Sequence, residues 1–256
     1  MQFAEALPGL TGWKMMPPRS HVNDPYKAER FLPSLEEAIS SERFATYLAH
    51  VDGDREQALR LYEWNIAASA AFYFPLQALE VCLRNACHRR LQATYGVKWY
   101  QTEKLKLDWQ AQDRIRKVLS NSNDPSRPKE PPDVVAALSF GFWVSLFGPG
   151  GHTQPYGRGP RANYEMTLWR PALRGMFKGA QSLRRKDLHR SLNYLRNFRN
   201  RVAHHEPIFK RHLEKDYDSI IRIVGWIYPE QCLWIEQHSR VRQILDKPYN
   251  TPQIRI

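Results

Sequence analysis

The sequence predicts an all-α fold, and two patterns carry that prediction. Apolar residues recur every three or four positions through most of the chain, which is the spacing of an amphipathic helix. No segment shows the strict alternation of a half-buried strand, and no internal repeat or low-complexity tract stands out. The 256 residues are enough for one large domain or two small ones, with a sizeable core.

The helices predicted in chain order form a single domain between an arm and a tail. Residues 1–30 contain four prolines among polar residues and are predicted to be an irregular arm. Residues 31–246 form the helical domain, and residues 247–256 form a C-terminal tail. Capping patterns, glycines and prolines, including a break or kink at Pro75 and a kink or fresh start at Pro171, place the helices at 34–39, 42–50, 55–71, 76–94, 108–120, 134–147, 163–178, 182 to about 204, 213–228 and 229–245.

The charge of the chain favours a polyanionic partner. Its formal net charge is +12, and its isoelectric point is about 9.7. Nucleic acid is the first candidate partner and an anionic membrane the second, while the plainer interpretation is solubility alone. A membrane-surface protein would also need an exposed apolar face, and the sequence does not identify one.

The cysteines and the apolar segments indicate a cytoplasmic protein with no membrane span. The three cysteines, Cys82, Cys87 and Cys232, form no Cys-x-x-Cys pair, so reduced thiols are expected. The N-terminus has neither the basic region nor the apolar region of a signal peptide. The longest apolar stretch, 66–83, is interrupted by polar residues and a proline, which favours buried helices.

The stretch 195–209 concentrates the candidate functional residues. It holds several cations, two adjacent histidines, a carboxylate and Pro207. Proline lacks an N–H and crowds the carbonyl four residues before it, so the helix should end or kink near 204–206. His204 and His205 then lie in the last turn, where the negative end of the helix dipole favours a protonated imidazole. Such a group can hold or donate a proton near neutral pH.

Helical geometry separates these side chains into faces. At about 100° per residue, Asn200 and His204 share one face. Arg199 lies on the apolar stripe of the helix, about 140° round from His204. Either Arg199 is a buried cation that pairs with a carboxylate, or its stripe meets a second helix, from this or another subunit, across a polar cleft.

Three segments together resemble a known family. Arg199-Asn200-x-x-x-His204 resembles the R-N-x-x-x-H form of the R-x4–6-H motif of HEPN domains, and the sequence through His-Glu-Pro-Ile resembles the bacterial abortive-infection (Abi-like) proteins of that superfamily. The segments 78–85 and 138–147 agree with the same family. Arg184-x4-His189 fits the bare motif equally well, but it lacks the asparagine and the His-Glu-Pro ending. The resemblance runs from about residue 41 to 209.

The resemblance implies a HEPN-type helical bundle with additional helices at both ends, and an endoribonuclease that needs no metal or cofactor. His204 would act as general base or acid, and Asn200 would orient His204 or a phosphate. Arg199 would neutralise the negative charge that builds on the oxygens of the phosphorane formed when the phosphate is attacked. Polar residues of an earlier helix commonly face the motif in this family. A local salt bridge between Glu80 and Arg84, with His88 satisfied beside it, is an equal interpretation of that helix. The expected RNA-binding or supporting residues are Arg201, His205, Arg196, Arg84 and Glu80.

The resemblance also implies the partners and the biological role. RNA is the expected substrate, and a homodimer with a composite active site is the expected assembly. The role is phage defence by abortive infection or action as a toxin, restrained by an antitoxin RNA or protein. The alternative is a non-catalytic HEPN protein that binds RNA or serves as a regulatory scaffold. A metal-dependent hydrolase built on His204, His205 and Glu206 is disfavoured, because adjacent histidines point about 100° apart and no His-Glu-x-x-His is present.

Overall fold

The structure, a computed structural model, describes residue 34, residues 36–121 and residues 130–249. The all-α class is confirmed, and within these residues β structure is limited to one isolated antiparallel bridge, His152–Arg161. The expected arm at 1–30 and the tail from residue 250 lie outside the described residues. The α-helices are α1 (Ser41–Leu48), α2 (Arg55–Tyr95), α3 (Trp109–Ser120), α4 (Pro131–Ala137), α5 (Phe140–Ser145), α6 (Arg185–Ala203), α7 (Leu213–Ile227), α8 (Pro229–His238) and α9 (Val241–Leu245).

The chain separates into two compact units, residues 1–59 and residues 60–256. In the first unit, the Ser40 hydroxyl caps α1 by accepting a hydrogen bond from the Arg43 N–H at 3.4 Å. An ion pair between Arg55 and Glu36 joins the start of α2 to the residues before α1. The second unit contains the main hydrophobic core and every candidate site residue.

Helix α2 corrects the prediction of a break or kink into two helices at Pro75, because it continues through this proline from Arg55 to Tyr95. Proline inside a helix costs about 3 kcal/mol, since it removes one hydrogen bond and crowds a carbonyl. Phe72, Leu76 and Leu79, on either side of it, are at most 3% exposed. Burying each contributes about 1.5–3 kcal/mol, so packing outweighs the local cost.

The single helix predicted at 134–147 is also wrong, because the structure forms α4 and α5 there. Leu138 has an extended backbone, with φ −73° and ψ 123°. The Ser139 hydroxyl then accepts a hydrogen bond from the Phe142 N–H at 3.3 Å and caps α5. Serine competes with the helix backbone in this way, so a polar residue restarts the helix inside an apolar run.

Two further predicted helices are interrupted. The helix predicted at 163–178, with a kink or fresh start at Pro171, is instead a π-helical turn, Glu165–Trp169, and a 3₁₀ turn, Leu173–Met176. The helix predicted at 229–245 is divided into α8 and α9 by Ser239, whose backbone is extended. The residues of the first segment are still part of the core, since Leu168 and Leu173 are fully buried.

The core of the second unit positions α6 against α2. The rings of Phe72 in α2 and Phe198 in α6 meet edge-to-face, with centroids 4.9 Å apart. Leu188, Leu192 and Leu195 of α6 are buried at the spacing of one helical face. The apolar face of α6 therefore packs into the core, and its polar faces remain available for a site.

Helix α2 is also long and apolar enough to cross a membrane by length and composition alone. Core helices pass the same test, and 44% of the most apolar window of α2 is buried within the protein. The packing of α2 against the hydrophobic core is a sufficient reason for its apolar composition.

Candidate active site around Arg199

Helix α6 ends one residue before the predicted range, in a Schellman motif. The Glu206 N–H donates to the Arg201 carbonyl at 2.8 Å, and the His205 N–H donates to the Val202 carbonyl at 3.2 Å. His205 adopts φ 56°, the left-handed conformation that glycine usually supplies at this position. The chain thus turns sharply away from the helix after His204, which is the C-cap residue.

Two contacts hold the segment that follows α6. The buried Asn65 side chain accepts hydrogen bonds from the N–H groups of Ile208 at 2.7 Å and Phe209 at 3.3 Å. Arg211 forms a two-pronged ion pair with Asp216, at 2.9 and 3.2 Å. These contacts fix the end of α6 relative to α2 and α7, so the position of His204 is well defined.

Arg199 pairs with a carboxylate of α2. Its Nε lies 3.3 Å from Glu80 Oε2, and the two side chains are 40% and 22% exposed. The contact is the one we expected between α6 and a polar residue of the earlier helix. Arg199 is therefore neither fully buried nor free, because Glu80 holds its guanidinium at the surface between the two helices.

The Arg199–Glu80 pair opens onto a cavity of about 350 Å³ between α2 and α6. Arg84 also lines this cavity, and its Nε is buried without a hydrogen-bond partner in the described structure. Two guanidinium groups and one carboxylate thus face a single space, and Arg84 has no carboxylate of its own among the ion pairs of the described residues. A cavity of this kind suits an anion, since buried polar groups are normally paired.

The remaining predicted site residues do not line this cavity. His204 and Asn200 are exposed, and the backbone N–H of His204 donates to the Asn200 carbonyl at 2.9 Å. His205 is exposed in the turn after α6, and Arg201 lies 3.4 Å from Glu206 in an exposed ion pair. Arg196 is half-buried and passes close to Gly141 of α5. The structure therefore joins Arg199, Glu80 and Arg84, and it leaves the imidazoles outside their cavity within one chain.

Sequence reasoning missed several residues that shape the site. Tyr73, which is 63% exposed, and Gln77 line the cavity beside Glu80. Both lie on the face of α2 that carries Glu80, so helical spacing could have identified them. Asn65 lies far from the motif in sequence, and no local pattern indicates that it supports the turn after α6.

The chemistry of the cysteines points away from a thiolate nucleophile. Burial raises the pKa of Cys82 to about 11, against an opposing effect of Arg89. Burial raises the pKa of Cys87 further still. Both thiols stay protonated near neutral pH. Within the described residues, no group of three histidine, cysteine, aspartate or glutamate side chains is arranged to hold a metal ion.

Fold and site together define an all-helical protein with a cationic cavity between two packed helices. Comparisons with known protein families, with curated proteins and with solved structures gave no match to this chain.

Proposed function

We propose that this protein is a metal-independent endoribonuclease of the HEPN superfamily, similar to the Abi-like proteins, with Arg199 and His204 as its catalytic residues. One observation carries the proposal: Glu80 holds the Arg199 guanidinium at the mouth of a cavity that contains a second guanidinium, from Arg84. The same helix ends at His204, whose imidazole is exposed. The net charge of +12 supports a polyanionic substrate.

The proposed reaction uses the substrate's own nucleophile. The ribose 2′-hydroxyl attacks the adjacent phosphorus, the bond to the 5′-oxygen breaks, and the products are a 2′,3′-cyclic phosphate and a 5′-hydroxyl. His204 takes the proton from the 2′-hydroxyl or gives one to the leaving oxygen. Arg199 stabilises the negative charge that builds on the phosphorane oxygens, since a guanidinium matches two of them at once. Arg84 adds positive charge in the same cavity, and DNA is not cut because it lacks the nucleophile.

The proposed active unit is a homodimer with a composite site. Arg199 and His204 lie about 140° apart around α6, so one copy does not direct both side chains at one phosphate. A second copy, packed so that the two α6 ends face each other, would bring an imidazole to the cavity. Tyr73, 63% exposed at the cavity, offers apolar surface for that contact.

The proposed biological role is that of a cytoplasmic toxin or phage-defence protein. An endoribonuclease without a metal requirement is active wherever RNA is present, so its activity must be restrained in the cell. An antitoxin RNA or protein is the corresponding partner. This role follows from the family resemblance and the proposed activity.

A non-catalytic RNA-binding or scaffold protein is the second candidate. The observation that favours it is the position of His204 and Asn200 outside the Arg199 cavity of their own chain. Binding an anion in that cavity needs only the guanidinium groups. Toxicity on expression separates the candidates, because a ribonuclease impairs growth and its His204→Ala variant does not.

The test of the activity is an RNA cleavage assay in saturating chelator. We expect Arg199→Ala to lower the rate about 100- to 1000-fold, as loss of one oxyanion contact does. We expect His204→Ala to lower it about 100- to 10 000-fold, with RNA binding largely kept. Arg190→Ala on α6 and His238→Ala on α8 remove the same residue types elsewhere and should leave the rate unchanged. A strict requirement for Mg²⁺ would contradict the proposal.

The role of Glu80 is tested separately from that of Arg199. Glu80→Gln keeps the shape of the side chain but removes the charge that positions Arg199. The pair is partly exposed, so its loss should change stability by less than about 1 kcal/mol. Cleavage should fall roughly 10- to 100-fold, because a displaced guanidinium no longer meets the phosphorane. Full activity in a folded Glu80→Gln variant would show that Arg199 needs no such support.

A further inference from the structure

A second group of basic side chains lies beside α5, away from the Arg199 cavity. It consists of Arg114 in α3 with His189 and Arg196 in α6, and we call it the α5 cation cluster. Arg114 Nη1 lies 3.5 Å from the Gly141 carbonyl oxygen and 3.5 Å from Ser145 Oγ. None of these three side chains lines the cavity of Arg199.

The two members of the cluster that lie in α6, His189 and Arg196, are close to the backbone of α5 and of the segment that follows it. A methyl group placed on Gly141 would lie 3.6 Å from Arg196 Cδ and 3.9 Å from its Nη1. A methyl group placed on Gly148 would lie 3.3 Å from His189 Nε2 and 3.0 Å from the Ser145 carbonyl oxygen. Arg114 and Arg196 thus both lie against Gly141, which is partly exposed, and His189 lies against Gly148, just beyond the end of α5.

The positive charge of the α5 cation cluster is not balanced within the described residues. Arg196 Nε is buried without a hydrogen-bond partner, and its Nη2 contacts only the amide oxygen of Asn197, at 3.3 Å. The two contacts of Arg114 are at the outer limit of hydrogen bonding. Three carboxylates of neighbouring segments are already paired with other cations: Glu165 with Arg170 and Arg185, Asp113 with Arg116 and Lys117, and Asp187 with Arg184 and Arg190. A fourth, Asp108, accepts hydrogen bonds from the backbone N–H groups of Ala111 and Gly151, at 2.9 Å each.

Two other poorly exposed arginines of this protein do have a carboxylate partner. Arg211, whose side chain is 13% exposed, has Asp216, and Arg185, at 17%, has Glu165. A buried cation without an anion is costly, so an unpaired buried nitrogen in a folded protein needs an explanation. Burial and the charges of Arg185 and Arg196 lower the pKa of His189, as expected where cations meet without a counter-charge. An anion from outside the chain would supply that charge.

We propose that the α5 cation cluster is a phosphate-binding site, separate from the Arg199 cavity. The cluster offers donors on two guanidinium groups and one imidazole, from two helices. Such a set suits a tetrahedral oxyanion better than it suits a planar carboxylate, because the carboxylate offers only two oxygens. The phosphate belongs either to a nucleic-acid backbone or to a small phosphate compound, and the recognition chemistry is the same. Binding here requires no cleavage, so the inference holds independently of the catalytic proposal.

The experiment compares two test variants with two matched controls in the full chain carrying His204→Ala, so that RNA stays intact. Arg114→Gln and Arg196→Gln each remove one charge from the cluster. Arg116→Gln in α3 and Arg190→Gln in α6 each remove one charge from an exposed side chain of the same helix. Binding of a labelled single-stranded RNA is followed by fluorescence anisotropy over a range of salt concentrations, and binding of inorganic phosphate by NMR titration.

We expect each test variant to bind RNA about tenfold more weakly, because each loses about one hydrogen bond to a charged group. The slope of log K against log salt should fall by about 0.7 for each phosphate of single-stranded RNA that the variant no longer neutralises. The controls should change both quantities much less. Phosphate should raise the pKa of His189 in the parent protein, and this shift should vanish in Arg196→Gln.

The outcomes separate the two sources of the phosphate. If phosphate binds and the test variants lose it while RNA binding is unchanged, the cluster takes a small phosphate compound. If RNA binding falls as described, it takes a backbone phosphate. Equal effects of all four variants, or no effect of the test variants on either ligand, would overturn the proposal. If Arg196→Gln does not fold, then Arg114→Gln and the His189 titration decide the question.

Discussion

The buried ion pair between Arg211 and Asp216 makes the most quantitative prediction of the structure. Asp216 lies in α7, its side chain is 1% exposed, and two hydrogen bonds join it to Arg211. The Arg211 guanidinium also stacks on two rings of α6, with centroids at 4.4 Å for Tyr194 and 4.7 Å for Phe198. Asp216→Asn removes the charge but keeps the volume, so its effect reports on the pair and not on a cavity.

The magnitude follows from the burial of both partners. Burial raises the pKa of Asp216, and this outweighs the opposing effect of Arg211. The attraction between Asp216 and Arg211 therefore does not fully offset the desolvation of the carboxylate. Most of the destabilisation by Asp216→Asn comes from leaving Arg211 without a counter-charge. Breaking such a pair costs about 3–5 kcal/mol. We expect the lower end, about 3 kcal/mol, because asparagine still accepts a hydrogen bond. At about 2–4 °C per kcal/mol, Tm should fall roughly 6–12 °C.

The assay is urea and thermal unfolding, with a control on the same helix. Asp218 pairs with Arg242 at 3.3 Å, but these side chains are 61% and 65% exposed. Asp218→Asn should therefore cost less than about 1 kcal/mol. The double replacement Arg211→Met with Asp216→Leu should recover most of the loss, since an apolar pair carries no desolvation cost. If Asp216→Asn lowers the free energy of unfolding no more than Asp218→Asn does, then burial does not explain the contribution of the Arg211–Asp216 pair to stability.

Three further predictions concern single residues. Asn65→Ala leaves two backbone N–H groups after α6 without an acceptor, and the free energy of unfolding in urea should fall by about 1–3 kcal/mol; an unchanged value would contradict the contact. His205→Gly relieves the left-handed backbone at φ 56° and should stabilise the protein by about 1 kcal/mol in thermal melts, whereas a loss would refute the strain. Burial, together with the charge of Arg89, lowers the pKa of His88, whose Nδ1 accepts a hydrogen bond from Trp99 at 3.0 Å. Neutral His88 therefore contributes to the free energy of unfolding above pH 6.5, and this contribution is lost as the pH falls. His88→Gln should make the free energy of unfolding less dependent on pH, and identical pH profiles for the variant and the wild type would contradict this role.

The sequence predicted the features of the site that depend on local chemistry. Pro207 indicated where α6 ends, because a missing N–H acts within one helical turn of its own position. The family resemblance indicated that Glu80 or Arg84, on an earlier helix, faces the motif, and the structure contains an ion pair between Glu80 and Arg199. The all-α class followed from the same helical period.

Features that depend on distant residues could not be predicted. The helix continues through Pro75 because its neighbours are buried by residues far along the chain, which outweighs a local penalty. The α5 cation cluster joins Arg114 to Arg196, and neither residue has a local pattern that indicates the other. The exclusion of His204 from the Arg199 cavity likewise depends on how α2 and α6 pack.

The most direct test of the proposed composite site is a subunit-mixing cleavage assay. Arg199→Ala and His204→Ala proteins are each inactive by our proposal, and they are mixed, allowed to exchange and given RNA in chelator. After exchange, half of the dimers contain one subunit of each variant. In each of these heterodimers one of the two composite sites has both Arg199 and His204, so one quarter of all sites are intact. Cleavage should therefore return to about one quarter of the wild-type rate. The products should carry 2′,3′-cyclic phosphate ends. A mixture as inactive as its components, beside an active wild type, would contradict a site shared between copies, and an inactive wild type would contradict the nuclease itself.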